Sequence, residues 1–292
     1  MTPTRDILST ACQLAGFRAE DAELLHAHSN TVYLLPSTGV VARINGNDHA
    51  GLRAKASLTI TRWLADHGLP VTEPALDHAI DVAGSTVTFW IYYPQHRTDR
   101  PSSQHLGEIL AHLHALPAPH FPLPDYQPLL GLVSILATAD ITPKVLSAAD
   151  LRWLSEQAEQ LIAEYRDLPT VLGRGMVHGD AYTGNTLWAG DTVLLGDWDE
   201  TSIAPRELDL ANTVQARRFG IREADIDAFL RTYGHDPRGE PLFDALVRMR
   251  DLHTLTSYIR RTQRGDARAH AELTTRLRSL QNPTTRARWT SA

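Results

Sequence analysis

Residues 176–199 read MVHGDAYTGNTLWAGDTVLLGDWD, and this stretch decides the predicted fold. After the sequence HGD, two short apolar runs flank a Gly-Asp pair, which is the pattern of a β-hairpin. Asp180 and Asn185 precede this hairpin, and Asp197 follows it. The sequence therefore predicts three oxygen-bearing side chains that one hairpin holds at fixed separations.

The residue types in this pattern indicate phosphoryl transfer. Carboxylate and amide oxygens suit Mg²⁺, which proteins usually hold through one or two carboxylates together with substrate phosphates. Asn185 and Asp197 are the candidate ligands of the metal. Asp180 then remains to orient a hydroxyl group and accept its proton, as the catalytic Asp of kinases does.

The spacing H-x-D-x-x-x-x-N, followed by an Asp at the end of a strand, resembles the catalytic core of the protein-kinase-like superfamily. The Gly after His178, the DWD at 197–199 and the ELDLA at 207–211 look more like the aminoglycoside phosphotransferase family of small-molecule kinases. The resemblance implies that Asp180 is the catalytic base and that Asn185 and Asp197 bind Mg²⁺. It implies structural support of the site from three further residues: His178, Asp199 and Asp209.

The resemblance also implies an α+β, bilobal protein-kinase-like fold. A nucleotide-binding lobe with a small antiparallel sheet would span residues 1–93, with the hinge at its end. A mostly helical lobe with the catalytic loop and the acceptor site would span residues 94–292. Local patterns predict strands at 22–25, 31–35, 40–44 and within 84–93, and helices at 4–14, 48–67, 102–116, 147–165, 205–218, 222–233, 241–264 and 267–280.

Five residues are candidates for nucleotide binding. Kinases place a Lys on the third strand to meet the phosphates, and Arg43 takes that position here; Arg holds phosphate oxygens bidentately. The loop between the first two strands has no glycine, so Ser29 and Asn30 are its candidate donors, with a plain polar turn as the alternative. By resemblance, Ile91 and Tyr93 would bind adenine through their backbones, although an aromatic cluster is equally typical of a buried strand.

Two departures from protein kinases stand out. Kinases usually carry a Glu on the helix after the third strand, where it pairs with the cation on that strand. Here no acidic residue lies between Asp48 and Asp66, so the sequence does not identify a partner for Arg43. Protein kinases that are switched by phosphorylation carry an Arg where this chain has Gly179. That glycine, and the short path from Asp199 to Pro205, favour a constitutively active small-molecule kinase.

Composition excludes several classes of protein. The 292 residues carry a formal charge of −6, which argues against a nucleic-acid binder, because such proteins need a basic face. No apolar run is long enough for a signal sequence or a membrane span. Cys12 is the single cysteine, so no disulfide forms within the chain, and we expect a cytoplasmic protein.

The leading hypothesis is an ATP- and Mg²⁺-dependent O-phosphotransferase that acts on a small molecule such as an aminoglycoside, a sugar or an amino alcohol. A catalytically weak nucleotide-binding regulatory protein of the same fold is the alternative. A metal-dependent hydrolase that uses His178, Asp180 and Asp197 is a third hypothesis. Residues 201–292 hold 16 Arg against 11 acidic residues, which gives no support to a polycationic antibiotic as acceptor. We expect residues 282–292 to be loose.

Overall fold

The computed structural model describes residues 4–27, 30–46, 48–138, 141–282, 284 and 287–290. In chain order its elements are α1 (Thr4–Ala15), β1 (Glu23–Ala27), β2 (Thr31–Leu35), β3 (Val40–Asn45), α2 (Asp48–Asp66), β4 (Ile80–Val82), β5 (Ser85–Ile91), α3 (Ser103–Ala115), α4 (Leu130–Leu136), α5 (Ala148–Asp167), β6 (Arg174–Val177), β7 (Thr186–Ala189), β8 (Thr192–Leu195), β9 (Ser202–Pro205), α6 (Glu207–Gln215), α7 (Glu223–Tyr233), α8 (Pro241–His253), α9 (Leu255–Gln263) and α10 (Ala267–Gln281). The predicted α+β class is confirmed.

The chain forms two compact units. The first unit consists of residues 1–122 and 178–201, and the second consists of residues 123–177 and 202–292. This division does not follow the lobe boundary that we expected at residue 93. The reason lies in the hairpin of β7 and β8, which packs with α3 and with the segment after β5 inside the first unit.

The first unit contains an antiparallel sheet with the strand order β1-β2-β3-β5-β4. Its core is apolar and includes Leu8 of α1, Leu35, Ala42 and Phe89, each of them fully buried. Short apolar runs, one of them rich in β-branched residues, predicted the long strands. The three-residue strand β4 was not predicted, because it is too short to show a period.

The β7–β8 hairpin forms as the sequence predicts. Its register pairs Thr186 with Leu195 and Trp188 with Val193, and the turn contains Gly190 at φ 62°. The backbone of Leu195 also exchanges hydrogen bonds with Pro70 and Thr72, so residues 70–72 fix the end of β8. This is the end of the hairpin that carries the predicted site residues.

The second unit is mostly helical and holds one two-stranded sheet, in which β6 pairs with β9. The single helix predicted at 241–264 is wrong, since the chain divides it into α8 and α9 at Thr254. The hydroxyl of Thr254 donates to the Asp251 carbonyl oxygen at 2.8 Å, and such bonds bend helices. Residues 130–136, which no pattern singled out, form α4.

The expectation of a loose segment at 282–292 is also wrong for residues 287–290. Trp289 is buried, its backbone N–H donates to the Arg218 carbonyl oxygen, and its Nε1 donates to the Ser279 hydroxyl at 3.0 Å. The buried guanidinium of Arg276 stacks 4.8 Å from the same indole ring. Within the described residues, no helix is long and apolar enough to cross a bilayer.

Candidate active site

The loop HGD is fixed by the imidazole of His178. This ring is fully buried; its Nε2 donates to the Gly196 carbonyl oxygen at 2.9 Å, and its Nδ1 accepts from the Asp180 backbone N–H at 3.2 Å. One neutral imidazole can make both bonds, because it has one donor and one acceptor nitrogen. His178 therefore joins the loop before the hairpin to the residue after β8.

Asn185 brings the other two predicted residues together. The side-chain Nδ2 of Asn185 donates to the backbone carbonyl oxygen of Asp180 at 2.9 Å. The backbone carbonyl oxygen of Asn185 accepts from the Gly196 N–H at 2.9 Å. Gly196 immediately precedes Asp197. The structure thus gathers Asp180, Asn185 and Asp197 at one end of the hairpin.

Arg43 has its partners on this same segment. Its Nη1 lies 3.0 Å from Asp197 Oδ1, and its Nη2 lies 2.7 Å from Asp199 Oδ2. The guanidinium therefore contacts two carboxylates that are two residues apart. This pairing answers the question left by the sequence, because carboxylates of the 197–199 turn replace the missing helix Glu.

The turn at 197–200 is acidic and partly desolvated. Burial raises the pKa of Asp199 above its usual range, against the charge of Arg43, and the neighbouring Asp197 raises it further. Burial also raises the pKa of Glu200, while its ion-pair partner Arg53 lowers it. Glu200 and Arg53 were not among the predicted site residues, although the acidic run D-W-D-E was a visible signal.

The donor set fits a divalent cation. Asn185 uses its Nδ2 within the loop, which leaves Oδ1 as a possible ligand. Asp199 Oδ1 is buried and accepts no hydrogen bond from the described part of the chain. Amide and carboxylate oxygens of this kind, completed by phosphates and water, are the usual Mg²⁺ ligands. Among the described residues, no three His, Cys, Asp or Glu side chains form a metal-binding group, whereas the hydrolase hypothesis predicts clustered His ligands.

Four further residues were predicted to bind the nucleotide: Ser29, Asn30, Ile91 and Tyr93. Ser29 lies outside the described residues. Asn30 Nδ2 donates to Asn45 Oδ1 at 3.4 Å. The backbone N–H of Ile91 donates to the Glu73 carbonyl oxygen at 2.9 Å, so this donor is engaged inside the first unit. The contacts of adenine with Ile91 and Tyr93 stay predictions.

Gln95 is a residue that sequence reasoning missed. Its side-chain amide donates to the carbonyl oxygens of Tyr93 and Trp188, at 2.7 and 3.0 Å, and accepts from the Trp188 N–H at 3.0 Å. It continues the pairing of the hairpin as a strand residue would. Gln95 thus attaches the segment after β5 to β7.

Two acidic residues of the ELDLA motif lie in the second unit. Asp209 is fully buried on α6, and its support of the catalytic loop stays a prediction. Glu207 is fully buried too. Its carboxylate accepts from the Thr170 hydroxyl and from the N–H groups of Val171 and Leu172.

A sequence model described as the phosphotransferase enzyme family matches residues 21–252. No curated protein matches the sequence.

Solved structures show the same fold. An amicoumacin kinase, in complex with AMP-PNP, Ca²⁺ and its ligand, is 16% identical with a TM-score of 0.74, over 99% of this chain and 96% of that chain. An aminopropanol kinase associated with a microcompartment is 16% identical with a TM-score of 0.70, over 94% of each chain. A choline/ethanolamine kinase family protein from Mesorhizobium loti is 20% identical with a TM-score of 0.66, over 96% and 94%. The predicted protein-kinase-like fold is confirmed.

Proposed function

Because the chain belongs to the phosphotransferase enzyme family, we propose that it transfers the γ-phosphoryl group of ATP to a hydroxyl group of a small molecule. The observation that carries the proposal is the hydrogen-bond network in which Asn185 links Asp180 to the residue before Asp197. In this proposal, residues 1–93 bind the nucleotide, and residues 94–292 carry the catalytic loop and the acceptor site.

Each residue has one task in the reaction. Asp180 accepts the proton of the acceptor hydroxyl group, and the oxygen of that hydroxyl group attacks the γ-phosphorus. The bond between the γ-phosphorus and the bridging oxygen of the β-phosphate breaks, which releases ADP. Asn185 and Asp197 would hold Mg²⁺, which would neutralise part of the phosphate charge. His178 keeps the loop in place, because it bonds both Asp180 N–H and Gly196.

Arg43 would exchange its partners when the nucleotide binds. Its guanidinium faces Asp197 and Asp199 in the structure. Phosphate oxygens compete for the same N–H groups, and Arg binds them bidentately. Arg43 then steadies the phosphates, and the carboxylate of Asp197 becomes available to the metal.

The acceptor is a soluble hydroxyl compound in this proposal. The structural neighbours include kinases described for amicoumacin, aminopropanol and aminoglycosides. We therefore place amino alcohols, aminoglycosides and sugars in one panel of acceptors. The charge of −6 argues against nucleic acid as a partner, and the single cysteine fits a reaction in the cytoplasm.

A panel assay tests this proposal. The purified protein is incubated with γ-labelled ATP, Mg²⁺ and each compound, and transfer of label to the compound is measured. We expect label on at least one hydroxyl compound. Binding of AMP-PNP without transfer to any compound would favour the regulatory alternative, and the absence of both would contradict the fold-based assignment.

One observation favours that alternative enough to test it directly. Arg43 contacts Asp197, the predicted metal ligand, as a cation that replaces a metal would. A nucleotide-binding regulator that retains this pair would bind AMP-PNP equally with and without Mg²⁺. An enzyme would bind it more tightly with Mg²⁺, and calorimetry distinguishes the two.

A further inference from the structure

The helix α2 contacts the turn after β8 through one face. The guanidinium of Arg53 forms an ion pair with the carboxylate of Glu200. Ser57, four residues later on the same face, lies close to the Asp199 carboxylate, and its hydroxyl donates to the Ala54 carbonyl oxygen at 2.9 Å. Two consecutive side chains of the turn thus lie against α2.

The same turn contacts the loop that carries Asp180. Gly179 has φ +85°, and a Cβ atom built on it would lie 2.4 Å from the Glu200 carbonyl oxygen. The loop can approach Glu200 this closely only because residue 179 has no side chain. Glu200 therefore contacts α2 with its side chain and the loop with its backbone.

Charge explains why this contact needs a cation on α2. Asp180, Asp197 and Asp199 lie close enough to Glu200 for their negative charges to repel its carboxylate. Arg43 faces Asp197 and Asp199, and Arg53 faces Glu200. Without Arg53, a further carboxylate would lie uncompensated next to the loop.

We propose that Arg53 and Glu200 form a positioning pair that fixes the 197–200 turn, with the cation on the helix and the carboxylate on the turn. The inference rests on the proposed function. In kinases, a Glu on this helix pairs with the cation on the third strand. Here the helix α2 carries the cation Arg53 instead, and its partner is Glu200 of the turn. Arg43 is then held by the turn, and the turn is held by α2.

Loss of the pair should lower nucleotide affinity more than it lowers the free energy of unfolding. The side chains of Arg53 and Glu200 are 41% and 48% exposed, and ion pairs with this exposure contribute little to the free energy of unfolding. A loss of nucleotide affinity without a loss of stability would therefore separate positioning from a general structural role.

Charge reversal tests the inference. We expect Arg53→Glu and Glu200→Arg each to weaken binding of AMP-PNP with Mg²⁺ by about ten-fold or more, as removal of a charge-assisted contact does. The double variant, which restores the pair in the opposite sense, should bind within about three-fold of wild type, and the melting temperature should stay within about 2 °C. Lys55→Glu is the matched control, because Lys55 also lies on α2 but pairs with Asp81 of β4.

Amide hydrogen exchange tests whether the pair fixes the turn in the absence of nucleotide. In the nucleotide-free protein, amides of residues 178–180 and 196–201 should exchange faster in each single variant and recover in the double variant. Unchanged exchange in both single variants, or a double variant no better than the worse single one, would overturn the positioning pair. If wild type fails to bind AMP-PNP with Mg²⁺, the proposed function fails, and the exchange data still decide the role of the pair.

Discussion

At Asp197 the backbone adopts φ 63° and ψ 60°, a left-handed conformation that L-residues other than Asn and Asp rarely enter. Such strain costs on the order of 1–3 kcal/mol and collects at functional sites. Here it turns the chain directly after β8, so that Asp197 and Asp199 both reach Arg43. The same residue thus carries strain and a predicted metal-binding carboxylate.

Asp197→Asn should weaken metal-assisted nucleotide binding but keep the fold. Asn tolerates the left-handed backbone, and the Asp197 side chain is 45% exposed, so the free energy of unfolding should change by less than about 1 kcal/mol. Affinity for AMP-PNP with Mg²⁺, measured by calorimetry, should fall by about ten-fold or more, because the metal-binding side chain at position 197 loses its negative charge. Asp191→Asn, on the exposed turn of the same hairpin, is the control. An Asp197→Asn variant with wild-type affinity would remove Asp197 from the metal site.

Gly179→Ala should lower the free energy of unfolding by about 2–4 kcal/mol, since a left-handed φ and a close backbone contact both oppose a Cβ atom. Gly190→Ala isolates the first cause. Gly190 has φ +62° but open space where a Cβ atom would lie, so only about 1 kcal/mol of backbone strain should appear. Urea unfolding of both variants gives the comparison. Equal losses would mean that the contact of Gly179 with Glu200 is unimportant.

Spacing alone predicted which residues lie together, whereas their roles in the reaction stay predictions. Asp180, Asn185 and Asp197 belong to one hairpin, so their proximity follows from local pattern. The pair of Arg53 and Glu200 could not be predicted in this way, because 147 positions separate them and only packing of α2 on the turn joins them. Gln95 escaped notice for the same reason, since its partner is Trp188.

At the scale of elements, α6 is fixed by its first residue. The carboxylate of Glu207 accepts from the Thr170 hydroxyl at 2.8 Å and from the N–H groups of Val171 and Leu172 at 2.7 and 3.0 Å. It thereby joins the start of α6 to the segment before β6. Periodicity predicted the helix but not this carboxylate contact, because a Glu in a first turn is also typical of a solvated helix end.

Glu207→Gln should therefore destabilise the protein by about 2–4 kcal/mol, because it removes a buried charge that accepts several hydrogen bonds and turns an NH₂ group toward donors. Glu223→Gln, in the exposed first turn of α7, provides the matched comparison and should change stability by less than about 0.5 kcal/mol. Guanidinium unfolding measures both. If the two variants proved equally stable, the buried carboxylate would contribute nothing to α6.

Elements were predictable in type more readily than in extent. The helix pattern at 241–264 is continuous in sequence, yet Thr254 divides it, because a hydroxyl bond to the backbone competes with regular helix geometry. Conversely, β4, β6 and β9 have three or four residues each and show no reliable period. Their pairing depends on neighbouring strands.

At the scale of the whole molecule, the chain crosses between its two units, since residues 178–201 return to the first. The loop, the hairpin and the acidic turn therefore belong to the same unit as Arg43 on β3. The lobes predicted at 1–93 and 94–292 follow chain order, whereas these units follow packing, and the roles of the lobes stay a prediction. The second unit is completed by residues 287–290, whose Trp289 is buried.

Trp289→Ala should lower the free energy of unfolding by about 3–5 kcal/mol, the usual cost of removing a buried aromatic side chain. It also leaves Arg276 without the indole that its guanidinium stacks on. Val171→Ala, at a 63% exposed position of the same unit, is the control and should cost less than about 0.5 kcal/mol. A loss below about 1 kcal/mol for Trp289→Ala, by urea unfolding, would show that residues 287–290 are dispensable.

The most direct test of the account is the rate of γ-phosphate transfer from ATP by Asp180→Asn, with Mg²⁺ and an acceptor that wild type phosphorylates. We predict a fall of about 10²-fold or more, since the variant cannot accept the hydroxyl proton, together with AMP-PNP affinity within about three-fold of wild type. A variant that keeps more than about a tenth of the wild-type rate would contradict the assignment of Asp180 as the base.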